Sequence, residues 1–173
     1  MARLTAIILG IFIALTSSFL LPAIALAAPS PSIAALPIIK NIFAGSPPDN
    51  LGIHDDHLAN CPPSPNCVVS QNGDETHAIA PIPYHGDLAT ARETLLKVLS
   101  VVPRTTIVEQ SGNYIRVASE SRIMGFIDDA EFYFPTGENV IQIRSASRLG
   151  ETDLGVNRRR LEQIRFALDD LNV

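Results

Sequence analysis

Cys61 and Cys67 are the only cysteines in the chain, and three of the five residues between them are proline (Pro62, Pro63 and Pro65). A structural zinc site takes about four thiolate or imidazole ligands at short fixed spacings, and C-x5-C is not among those spacings. His54, His57, His77 and His85 lie nearby, but in turn-rich polar sequence without regular spacing to the cysteines. Neither a metal nor any other cofactor is expected. A thiol redox centre places Cys-x-x-Cys at a helix start, and these prolines forbid that helix. In an exported chain the default is a disulfide. Closing so short a loop stabilises the fold by roughly 2 kcal/mol in chain-entropy terms, less here because proline already stiffens it.

A second set of chemical groups follows strand parity. In 126–134, Ala130, Phe132 and Phe134 fall on one side, and Asp129, Glu131 and Tyr133 on the other. In 140–149, Ile141, Ile143 and Leu149 point to the core, while Gln142, Arg144 and Arg148 point out. A hairpin across 135–139 sets Arg144 opposite Glu131 or Asp129. With Arg116, Glu120 and Arg122 these residues form one mixed-charge face. The ordinary expectation is a set of solvated ion pairs, each worth little. The functional alternative is a polar groove, covered by the cysteine segment, that grips a carboxylate or phosphate through paired arginines. There Asp128, Asp129 or Glu131 would act as general acid or base, with Arg144 or Arg148 holding the anion. Asp128 breaks the pattern by falling on the apolar side. Either a bulge re-aims it or a buried carboxylate finds a partner.

The stretch from Gly150 to Arg160 puts Arg158, Arg159 and Arg160 at a helix start, where the dipole favours acids. Glu151, Asp153 and Glu162 are the expected compensation, and a bound anion is the alternative. Ser145 and Ser147 have no histidine close in sequence, and neither G-x-S-x-G nor a glycine-rich phosphate loop occurs. No catalytic motif is legible.

These groups need elements to position them. Residues 79–83 read as a short edge strand, since two prolines remove ladder donors. Asp87 caps a helix over 88–100 with Leu88, Ala91, Leu95 and Val98/Leu99 inward, ended by Pro103. Strands follow over 105–109, 113–120, 126–134 and 140–149, then a helix over 157–171 with the stripe Leu161, Ile164, Leu168 and Leu171. This order predicts an α+β two-layer sandwich: an antiparallel sheet of four to five strands with two helices on one face. Residues 51–78 read as a long irregular segment tied down by the cysteines.

The N-terminus has one positive charge, Arg3, an apolar run from Leu4 to Leu21, and the small-residue site Ala25-Leu26-Ala27. That layout predicts a signal peptide over 1–27, with an uncleaved membrane anchor as the alternative. Residues 28–50 form an extended, proline- and alanine-rich arm or linker whose patch at 38–43 can dock on its own domain or on a partner. Residues 51–173 form a single domain. Cleavage moves the net charge only from −5 to −6. The chain lacks the basic stripe of a nucleic-acid binder. The expected destination is an exported compartment, periplasm or thylakoid lumen.

Over roughly residues 45–171 the chain resembles the DUF1499 family of uncharacterised bacterial and plastid-lineage proteins. The resemblance rests on C-P-x-S-P-N-C-V-x-S-Q, F-x-D-D-x-E-F and R-S-A-S-R-x-G-x-x-D-L-G-x-N-R, with Asn50-Leu51-Gly52 ahead of them. Val69 stands where the family usually has serine, and Asp55-Asp56 where an Asp-Gly turn is more usual. The resemblance implies one intact domain and no particular reaction. It also implies that Ser64, Asn66, Ser70, Gln71, Asp128, Asp129, Glu131, Arg144, Ser145, Ser147, Arg148, Asp153, Asn157 and Arg158 meet in one polar cluster with the cysteine loop. The expected function is a non-enzymatic binding or assembly factor for an exported protein partner. The alternative is a binder of, or acid–base enzyme on, a small anionic ligand.

Overall fold

A computed structural model describes residues 42–173. The signal segment and most of the arm lie outside the described residues. Among those described, no helix is long and apolar enough to cross a membrane.

The chain order is β1 (Cys67–Val69), β2 (Ile82–Pro83), α1 (Leu88–Val101), β3 (Thr105–Ser111), β4 (Tyr114–Glu120), β5 (Ile127–Tyr133), β6 (Val140–Ser147) and α2 (Val156–Asp170). The strands make one antiparallel sheet in the order β1-β6-β5-β4-β3, with β2 also paired to β6. Both helices pack on one face. Ala91, Leu95, Val98 and Leu99 of α1 and Leu161, Ile164 and Leu168 of α2 bury against Ile115, Val117, Ala130, Phe132, Ile141 and Ile143. The α+β two-layer architecture is therefore as the pattern predicts. Asp87 caps α1, its carboxylate accepting from the Thr90 amide and hydroxyl at 2.9 Å each.

Four details differ from the sequence reading. The cysteine segment is not wholly irregular, because the β-branched pair Val68-Val69 completes β1 on the edge of β6. Only Ile82–Pro83 of the expected 79–83 strand pairs, because Arg165 takes the carbonyls of Ala80 and Pro81. Leu88, Leu149 and Leu171 are exposed, since Leu88 is the first residue of α1, β6 ends at Ser147 and α2 at Asp170; Val173 folds back into the core instead. Residues 42–44 are helical rather than extended, and the Phe43 ring packs on Phe126 with centroids 5.1 Å apart. The end of the arm thus docks on its own domain.

The registers of β5 with β4 and β6 run unbroken through Asp128. The bulge lies elsewhere, between Ile107 and Glu109 of β3. Asp128 is therefore a buried carboxylate, and strand alternation sends it to the opposite face from Asp129.

Candidate functional site

The cysteine loop is stapled by a Cys61–Cys67 disulfide. Its polar residues face inward to the fold. The Ser64 hydroxyl donates to Asn66 Oδ1 at 2.9 Å, and the Ser64 carbonyl meets the ring of buried His77 at 3.2 Å. Asn66 is buried and donates to the Gly150 carbonyl. Ser70 bridges β6, donating to Gln142 Oε1 at 2.7 Å and accepting from the Ile143 amide at 2.8 Å. Gln71 accepts from the Leu58 amide and donates to the Asp56 carbonyl.

The ligand-like run His54-Asp55-Asp56-His57 is a tight turn. His54 and His57 exchange both backbone hydrogen bonds, at 2.8 and 3.0 Å. Asp55 and Asp56 both hold left-handed backbone, φ 49° and 62°, the conformation that suits an Asp-Gly turn. Asp56 then accepts from the Tyr133 hydroxyl at 3.0 Å.

That turn brings residues 51–58 across the sheet face opposite the helices. Ile53 and Leu58 pack on Tyr114 and Tyr133 there. The face expected to be solvated is consequently buried: Asp129 is 1% exposed, Glu131 0% and Arg144 2%. Glu131 accepts from Arg144 Nη1, the Tyr114 hydroxyl and the Gly52 amide, each at 2.8 Å. Asp129 takes a two-pronged grip from Arg148, at 2.7 and 3.0 Å, and a third donor from Arg116 at 3.2 Å. Arg116 also lies 3.5 Å from Glu109. Three acids face three arginines in this lattice, so its charge balances. Burial, and then the Glu131 charge, push the Tyr114 hydroxyl far above its ordinary range. Burial and the bond to Asp56 raise Tyr133 as well.

The other expected residues meet on the helix side, so the single cluster is two clusters on opposite faces. Asp128 accepts from Ser147 at 2.6 Å and from Arg160 Nη2 at 2.9 Å. Asn157 is 1% exposed and links three elements. It accepts from the Ser145 hydroxyl and donates to the Asn66 carbonyl and the Ser147 hydroxyl, both at 3.1 Å. Asp153 supplies the cap of α2, accepting from the Gly155 and Asn157 amides at 2.9 and 2.7 Å. The arginine run is relieved mainly by carbonyls. Arg158 donates to Ala78 and Thr76, and Arg159 to Leu154, while Arg160 finds Asp128. Glu162 pairs instead with Arg165.

One open concavity borders this second cluster. It runs between the start of α2 and the 119–122 end of β4, has a volume of about 400 Å³, and is lined by Arg104, Arg122, Arg159 and Arg160 with Glu120 and Asp128. A smaller chamber of about 150 Å³ adjoins it, sharing Ser121, Asp128 and Val156. Of its arginines, Arg104 had no sequence signal. The i, i+3 pair Asn157/Arg160 was available as a clue that Arg160 joins the buried cluster.

Fold and charges together define a class: a disulfide-stapled α+β domain with a sealed ion-pair lattice on one sheet face and an arginine-lined cleft at the end of the other. The chain belongs to DUF1499, described as "Protein of unknown function (DUF1499)", whose profile matches residues 57–168. Asn50-Leu51-Gly52 lies outside that match. No curated protein and no solved structure matches the chain.

Proposed function

We propose that this domain is an exported binding or assembly factor, acting in a periplasmic or thylakoid-lumen compartment, and that its recognition surface is the arginine-lined cleft. The observation that carries this reading is the division between locked and open charge. A general acid or base must come within hydrogen-bond reach of its substrate. Asp129 and Glu131 each already accept three hydrogen bonds beneath a covering segment. Glu131 fixes Gly52 and Asp129 fixes the sheet arginines, while Asp128, at the cleft wall, is already engaged by Ser147 and Arg160, which argues against the acid–base enzyme. The cleft, by contrast, offers cationic side chains to a visitor.

Localisation rests on the N-terminal signal pattern, and a disulfide suits an oxidising compartment. The test is crosslinking capture from the native fraction, with and without residues 28–50. A discrete partner whose capture is weakened by charge reversal at Arg122 supports the reading. Capture indifferent to the cleft contradicts it.

A further inference from the structure

The cleft's two chambers differ in chemistry, and the difference defines an occupant. Four arginines oppose two carboxylates in the larger chamber, on a chain whose overall charge is −5. Asp128 is matched by Arg160, and Arg104 Nε is engaged by the Glu120 carbonyl at 3.1 Å. Arg122 makes no hydrogen bond or ion pair among the described residues, and Arg159 commits one nitrogen to a carbonyl. Both side chains therefore keep donors free at the mouth. Guanidinium groups with free donors suit phosphate or carboxylate oxygens.

The smaller chamber is walled by Phe126, Leu149 and Val156, with hydroxyls and Gly150 at its edge. Its acids are occupied: Asp128 by Ser147 and Arg160, Asp153 by the amides that open α2. The loops that bound it, 121–126 and 148–156, also expose apolar side chains. Ile123 is 64% exposed, Leu149 41% and Leu154 82%. Leu154 does so from left-handed backbone at φ 54°, which is unfavourable for a leucine. A simple anion would use only the first chamber and a neutral apolar solute only the second.

We propose that the cleft binds an amphipathic anion, a phosphate monoester or carboxylate head carrying a single apolar tail. The head lies against Arg122 and Arg159, and the tail lies along Phe126, Leu149 and Val156. This assignment rests on the cleft being the recognition surface and specifies what enters it.

Calorimetric titration of the full chain with inorganic phosphate and with butyl, hexyl and octyl phosphate as monomers tests it. Affinity rises about three- to fourfold per methylene until the apolar chamber is full. Reversing both Arg122→Glu and Arg159→Glu, at exposed positions, lowers affinity for every phosphate by about tenfold or more. Leu149→Ser flattens the chain-length dependence and leaves inorganic phosphate unchanged. A parallel series of butanoate, hexanoate and octanoate separates a carboxylate head from a phosphate head. Affinity independent of chain length, absence of binding, or a dependence that survives both sets of substitutions overturns the proposal. Partner crosslinking at the cleft is read separately, so the ligand class can fail while the recognition surface stands.

Discussion

Arg144 Nη1 lies 2.8 Å from Glu131 Oε2, directly across the β5–β6 ladder, with both side chains withdrawn from solvent. The pair sits on the sheet face that alternation alone assigns to water. Removing one member of a buried pair leaves the other charge uncompensated, which costs about 3–5 kcal/mol. Glu131→Gln or Arg144→Met is therefore expected to lose stability of that order in urea denaturation. The double variant Glu131→Gln/Arg144→Met is expected to lose much less than the sum, since neither charge is then stranded. Additive losses would show that the two residues do not act as a pair.

Tyr114→Phe removes one donor from Glu131, leaves the ring in place, and is expected to cost about 1 kcal/mol. The same bond makes an alkaline prediction. The folded-state pKa values of Tyr114 and Tyr133 are raised, so their contribution to stability is complete below the ordinary tyrosine value of about 10 and is lost as pH rises above it. Spectrophotometric titration should find both phenols ionising above the ordinary tyrosine range. Normal, reversible ionisation of Tyr114 and Tyr133 in the folded protein would contradict the buried lattice.

At acid pH the sign reverses. Asp74 is held below the ordinary aspartate value chiefly by its side-chain bond to His77, then by the His77 and Thr76 amides. Its contribution is present above the unfolded carboxylate pKa and fades as pH falls through the lowered one. Asp74→Asn should flatten the acid limb of the stability profile and loosen residues 72–78, seen as faster amide exchange at His77 and Ala78.

The staple has its own expectation. Cys61 and Cys67 resist thiol labelling until reduced, and Cys61→Ser/Cys67→Ser costs up to about 2 kcal/mol. Asn157→Ala is expected to cost about 1–3 kcal/mol by stranding the buried Ser145 hydroxyl and removing one of the two donors to the Asn66 carbonyl, which keeps only the Ser147 amide. It should also accelerate amide exchange in β1, which Asn157 joins to α2 through Asn66.

Much of the fold was legible because its signals are periodic. The stripe Leu161, Ile164 and Leu168, the Asp87 cap and the placing of Arg144 opposite Glu131 or Asp129 all follow from spacing, and the hairpin register selects Glu131. What spacing could not reveal is which sheet face a non-periodic segment covers. Residues 51–58 have no strand or helix pattern, yet their turn at Asp55-Asp56 lays Ile53 and Leu58 over Tyr114 and Tyr133. That single packing event converts a solvated charged face into a sealed one. The expected single cluster divided for a related reason: Asp128 and Asp129 are neighbours in sequence, and a strand sends neighbours to opposite faces. The cleft was illegible because it joins chain ends of β4 and α2 that share no local pattern.

Site-specific photo-crosslinking from position 122, performed in the native cell extract, decides whether the arginine-lined cleft is a recognition surface. A discrete adduct is expected from position 122 and none when the crosslinker sits at the exposed position 93 on α1. No adduct from position 122, or the same adduct from both positions, would contradict it.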